Sequence, residues 1–153
     1  MTPSRDRCIY TDMKTKADFQ ECDACACFAV RRAARAISQV YDRHMRGTGL
    51  RASQFTVLVI LLRVGEAMPM GRLAAQLGVE RTTLTRNLRP LEARRYISIR
   101  TSDDQRVRSV AITERGREAA VAALPFWRKA QAVIGKHVDS AALHALAEVG
   151  SRA

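Results

Sequence analysis

Residues 71–95 read GRLAAQLGVERTTLTRNLRPLEARR. Two apolar helical patterns flank the turn at Gly78-Val79, and the second decides the fold. Leu84, Leu88 and Leu91 recur at i, i+4 and i+7, the buried stripe of a helix over 80–95. Thr82, Thr85, Arg86 and Arg89 recur at i, i+3, i+4 and i+7 on another face that holds no acid. A solvated face usually mixes signs. Threonine offers a hydroxyl and a methyl to base edges, and arginine binds guanine in a fork. These are the side chains a helix needs in a major groove; the alternative is an ordinary polar face. Pro90 removes the hydrogen bond to the carbonyl of Arg86 and predicts a bend.

After this helix the period changes to two. YISIR at 96–100 and RSVAI at 108–112 are alternating strands joined by the polar loop TSDDQRV. Two helices joined by a glycine turn make a helix-turn-helix, and the hairpin after it makes a wing. Its tip carries Asp103, Asp104, Arg106 and Arg108. A tip arginine suits a narrow minor groove, and Asp104 is placed to orient the Arg106 guanidinium. The alternative is a charged hairpin tip.

The flanks are helical. Asp18 and Glu21 resemble a capping box, and a helix follows from there until GTG at 47–49. Val30, Ala33, Ala34, Ile37, Tyr41 and His44 share one face of it, and Arg31, Arg32, Arg35, Gln39, Asp42 and Arg43 the other. Ser53 is the expected N-cap of QFTVLVILLRV, and Pro69 sits at the start of the next helix. Thr113 caps a long helix over 114–138, bent near Pro125, and a last helix begins after Asp139. The fold class is mainly α with a small β hairpin, in the order α-α-α-α-β-β-α-α. Residues 1–17 read as a loose tail, 51–113 as a winged helix-turn-helix DNA-binding region, and 18–50 with 114–153 as a helical dimerisation region. Dimerisation is expected because 114–150 carries Leu124, Phe126, Trp127, Val133, Ile134, Val138, Leu143, Leu146 and Val149, too much apolar surface for one small domain. Phe28, on the polar side of the first helix, adds to it. The alternative is packing within one chain.

Composition agrees with a polyanion partner. Of 153 residues, 26 are basic and 15 acidic, a net charge of +11, and arginine supplies 22 of the 26. The longest apolar run, FTVLVILL at 55–62, is far short of the roughly 20 residues that span a bilayer, so no membrane association is expected. The N-terminus lacks an apolar signal region, which points to the cytoplasm, where thiols stay reduced. There are no paired carboxylates in a suggestive setting, no phosphate loop and no nucleophile with a base at recognisable spacing, so an enzyme is not expected. A winged-helix protein-interaction module without DNA binding is a further alternative, against which the basic face argues.

These residues carry a family resemblance. GRLAAQLGVERTTLTRNLRPLEARRYI followed by DDQRVRSVAITERGRE resembles the MarR family of bacterial transcription regulators. Asp104 and Arg106 match the family's D-x-R wing motif, ITERG matches its strand-to-helix passage, and residues 29–58 resemble its first two helices, the likeness covering about 24–150. The resemblance implies an intertwined winged-helix homodimer that binds a pseudo-palindromic operator in double-stranded DNA. It implies a repressor released by an effector, with no cofactor. Carried over by position, Thr82, Thr83, Thr85, Arg86 and Arg89 face the major groove, and Arg106, supported by Asp104, the minor groove. Glu80 stands where the family often has a serine, and Tyr96 where a glycine commonly ends the helix. Family members often take small aromatic acids, and the candidates for such a pocket are Tyr41, His44, Met45 and Phe55. His44 equally suits a satisfied core position.

Cys22, Cys25 and Cys27 stand close together. At about 100° per residue of an unbroken helix, Cys22 and Cys25 lie about 60° apart and Cys27 about 160° from Cys25, so no metal site is expected. CFA at 27–29 with Tyr41 is similar to the organic-hydroperoxide-sensing branch of the same family, in which the reactive thiol contacts two tyrosines. Ala52 stands at the place of the second. The resemblance makes a redox role of Cys27 the alternative to its being a small buried hydrophobe.

Overall fold

A computed structural model describes residues 22–101 and 108–152. The chain divides into two compact units, the first reaching to Ala36 and the second running from Ile37 to Ala153. The expected capping box at Asp18 and Glu21 lies outside the described residues.

Helix α1 spans Ala26–Met45. A short 3₁₀ turn at 22–24 precedes it, Cys25 N–H donates to the Cys22 carbonyl at 3.1 Å, and the Cys25 carbonyl accepts the α1 bond from Ala29 N–H. Cys22 and Cys25 therefore lie ahead of α1, not within it, and the 60° separation of an unbroken helix does not apply to them. All side chains of 22–36 are exposed, including Val30, Ala33 and Ala34 of the expected apolar stripe. Burial on α1 begins at Ile37.

The second unit holds the core. A 3₁₀ turn, Arg46–Thr48, ends α1, and Gly49 turns the chain at φ 71°. Helix α2 is Ala52–Val64. Its N-cap is Arg51, not Ser53: Gln54 Oε1 accepts from Arg51 N–H at 3.0 Å, and the α1 carboxylate of Asp42 accepts from Ala52 N–H at 2.7 Å. A side chain from another element thus satisfies an amide that the sequence pattern assigns to local capping. Helix α3, Met70–Leu77, ends at Gly78 with φ 63°, and α4, Arg81–Ala93, follows at once.

The sheet has three strands, not two. β2 (Ile97–Thr101) and β3 (Arg108–Ile112) pair antiparallel with Ile97 opposite Ile112. β1, only Met68–Pro69, joins the other edge of β3, so the order is β1-β3-β2. Two residues give no periodicity to read, and Pro69, with no N–H, suits an edge strand. Helix α5 is Glu114–Ile134; it continues through Pro125, ends four residues before the expected Val138, and α6 is Ser140–Arg152. Pro125 leaves the Val121 carbonyl without its helical donor, at a turn where both residues are exposed. Asp139 Oδ1 accepts from Ala141 N–H at 3.0 Å and opens α6.

Leu58, Leu61, Leu73, Leu84, Leu88, Leu91 and Val110 are all nearly inaccessible and join α2, α3, α4 and the sheet in one core. Ala120 and Ala123 bring α5 onto it, with Leu124 and Trp127 packed at its edge. No helix among the described residues is long and apolar enough to cross a membrane.

Candidate nucleic-acid interface

The face of α4 is built by the stripe behind it. Leu84, Leu88 and Leu91 are sunk in the core, which turns Thr82, Thr85, Arg86 and Arg89 outward. These four line one concavity of about 340 Å³. Thr85 Oγ1 donates to the Arg81 carbonyl at 2.8 Å, which leaves its oxygen to act as an acceptor. Thr83 falls on the next wall. It lines a larger hollow of about 630 Å³ with Arg51, Ser53, Arg86, Asn87 and Pro90 among others. Arg86 belongs to both, so the two hollows adjoin.

Glu80 is the N-cap of α4, with extended backbone and no cap hydrogen bond from its side chain. The end of α4 corrects the family correspondence. Arg95, at φ 58°, is the left-handed residue; its N–H donates to the Glu92 carbonyl and that of Tyr96 to the Leu91 carbonyl. The glycine-favouring position is therefore Arg95 and not Tyr96. Thr113 Oγ1 accepts from Gly116 N–H at 3.1 Å and donates to the Arg95 carbonyl at 2.7 Å, which ties the start of α5 to the end of α4.

Of the wing residues, Arg108 is exposed at the first position of β3, paired with Thr101. Asp103, Asp104 and Arg106 lie outside the described residues. Ser53, Asn87 and Arg51 are additions to the expected surface. Ser53 Oγ donates to Asn87 Oδ1 at 3.2 Å across a sequence separation of 34, and only the packing of α2 on α4 shows that neighbourhood.

The four candidate effector residues sit in different surroundings. Met45 is 0 % exposed and Phe55 3 % exposed, both core members, and Phe55 packs on Trp127 with ring centroids 6.2 Å apart. His44 is half-buried and its Nδ1 donates to the Val40 carbonyl at 2.9 Å, one helical turn back. The Tyr41 hydroxyl donates to Gln131 on α5, and burial pushes its pKa above the usual value. Cys22, Cys25 and Cys27 are free thiols and all exposed, so Cys27 is not a buried hydrophobe here. Among the described residues no three His, Cys, Asp or Glu side chains gather as metal ligands.

Comparison with known proteins agrees with this geometry. Residues 48–106 match the family model described as MarR family. No curated protein matches the sequence. Two solved structures of the Mycobacterium tuberculosis transcriptional regulator MosR are similar. The one in complex with DNA is 37 % identical, covering 84 % of this chain and 95 % of that one, with a TM-score of 0.75. The other is 38 % identical, covering 85 % and 96 %, with a TM-score of 0.74. CouR from Rhodococcus jostii RHA1, bound to p-coumaroyl-CoA, shares the fold at 20 % identity, 80 % and 86 % coverage and a TM-score of 0.66. With a winged helix-turn-helix in place, the family model matched across it, and a relative at this identity over most of both chains, the chain belongs to the MarR family of DNA-binding transcription regulators.

Proposed function

We propose that the protein is a cytoplasmic homodimeric repressor. It grips a pseudo-palindromic operator with Thr82, Thr83, Thr85, Arg86 and Arg89 in the major groove and with Arg106, Asp104 and Arg108 at the wing. The observation that carries this is the acid-free Thr/Arg hollow on α4, held outward by a fully buried leucine stripe. In the same scheme 51–113 reads DNA, and 18–50 with 114–153 dimerises. The apolar faces support the second half: Phe28 is 59 % exposed and Leu146 53 % exposed, and Leu143 and Val149 are open beside it on α6. DNA selected from random sequence by the purified protein tests the proposal. A two-fold symmetric consensus is expected. Arg86→Ala should weaken discrimination at one base pair per half-site by about 1–3 kcal/mol, whereas Arg106→Ala should weaken binding and leave the major-groove base preference unchanged. Selection that yields no consensus at moderate salt would sink the idea.

A small aromatic ligand, such as an aromatic acid, is the proposed releasing effector; CouR, which holds the aromatic thioester p-coumaroyl-CoA, is a relative that supports the aromatic part of this reading. A thermal-shift screen checks it. A thiol-based release is a second reading, favoured by the geometry ahead of α1. A backbone hydrogen bond from Cys25 N–H to the Cys22 carbonyl draws these two residues together, both exposed, with Cys27 two residues further on. Hydroperoxide should lower operator affinity of the wild type and spare a variant with all three changed to serine. An unchanged wild type rejects this release.

A further inference from the structure

The surface beyond α4 carries a second basic hollow. Its volume is about 540 Å³, and its walls include Arg43 and Arg46 from the end of α1 and the turn after it, and Arg51 at the cap of α2. No carboxylate pairs with any of the three among the described residues. Asp42 is the one acid on the wall, and its Oδ1 is engaged by Ala52 N–H. Guanidinium groups gathered around a concavity suit an anionic partner, phosphate above all.

Shared walls join this hollow to the recognition face. Arg51 lines both it and the hollow of Thr83 and Asn87; Arg86 lines that one and the hollow of Thr82, Thr85 and Arg89. The three form a continuous path carrying Arg89, Arg86, Arg51, Arg46 and Arg43. Two hydrogen bonds tie the path to α4: the guanidinium of Arg94, the C-cap of α4, donates to the Gly49 carbonyl on the last hollow, and Ser53 Oγ on the middle one donates to Asn87. The outer arginines therefore keep a fixed place relative to the helix that reads bases.

We infer that Arg43, Arg46 and Arg51 form a phosphate track that grips DNA backbone flanking the base-read half-site. The track rests on the DNA-reading role of α4 and adds affinity without sequence preference, as phosphate contacts do. Continuity with α4 favours a polymer running from one hollow to the next over a small anion confined to the last.

The full-length protein and two duplexes test this: the selected operator alone, and the same operator lengthened at each end by about one helical turn of random sequence. The wild type should bind the longer duplex more tightly and with a steeper dependence of log affinity on log salt. Changing Arg43, Arg46 and Arg51 together to glutamine should abolish the gain from the flanks and flatten the slope by about 0.9 for each phosphate no longer neutralised. Lysine at the same places should restore the slope, and single glutamine variants give graded losses if the triple variant folds poorly. Consensus sequence should not change in any of them, whereas Arg86→Gln and Arg89→Gln should change it. A triple variant that keeps the wild-type slope and flank gain overturns the track while leaving the DNA-reading role intact. A wild type with no preferred sequence overturns both. If inorganic pyrophosphate raises the wild-type melting temperature but not that of the triple variant, with DNA binding equal, the hollow takes a small anion and the track is wrong.

Discussion

Gly116 sits where α5 starts against the end of α4. A Cβ there would meet the carbonyl oxygen of Tyr96 and stand 2.9 Å from Ile112 Cγ1. Backbone cannot step aside as a flexible side chain can. Gly116→Ala should therefore cost at least about 2 kcal/mol, read as a lower urea midpoint. Arg95 is the converse case. It holds φ 58° with an exposed side chain, and an L-residue loses about 1–2 kcal/mol in that region. Arg95→Gly should raise stability by about 0.5–1 kcal/mol once the glycine's extra unfolded freedom is deducted. A lower midpoint would show that the Arg95 side chain does something other than turn the chain. The glycine in ITERG is visible in the sequence as part of a motif. Its reason is not, because the atom it avoids belongs to Tyr96, in the strand-and-helix junction before the wing.

At the scale of elements, the capping residues separate local from tertiary causes. Thr113 does what its position promises and also reaches Arg95. Thr113→Ala should cost about 1–2 kcal/mol and Thr113→Ser much less, since serine keeps the oxygen. Ser53 looks like an equally good cap. The cap of α2 is instead completed by Asp42 from the preceding helix, which frees Ser53 to bond Asn87. Helices α3, α4 and α5 and the pair β2–β3 are legible because each carries an unbroken period. β1 is not, since its two residues are a strand only by virtue of Val110 and Ser109 beside them.

For the whole molecule, part of the uncovered surface is apolar. No α6 residue belongs to the core among the described residues, and Leu143, Leu146 and Val149 are exposed on one chain. Leu146→Asp should convert a dimer to monomers in sedimentation velocity and lower operator affinity, with the urea midpoint of the core little changed. Dimers persisting at low micromolar concentration would place the interface elsewhere.

Pattern alone determined the helix-turn-helix, the strand pair after it and the acid-free outward face of α4. Each follows from a period of 3.6 or 2 that sorts leucines from arginines within a few residues. Only the tertiary structure decided which of the remaining residues are neighbours. It drew Met45 and Phe55 into the core, took Cys22 and Cys25 out of the helix, and joined Arg43, Arg46 and Arg51 to the path from Arg86. Local pattern reports which way a side chain points from its own element. What it meets there depends on elements distant in the chain, and packing alone brings those together.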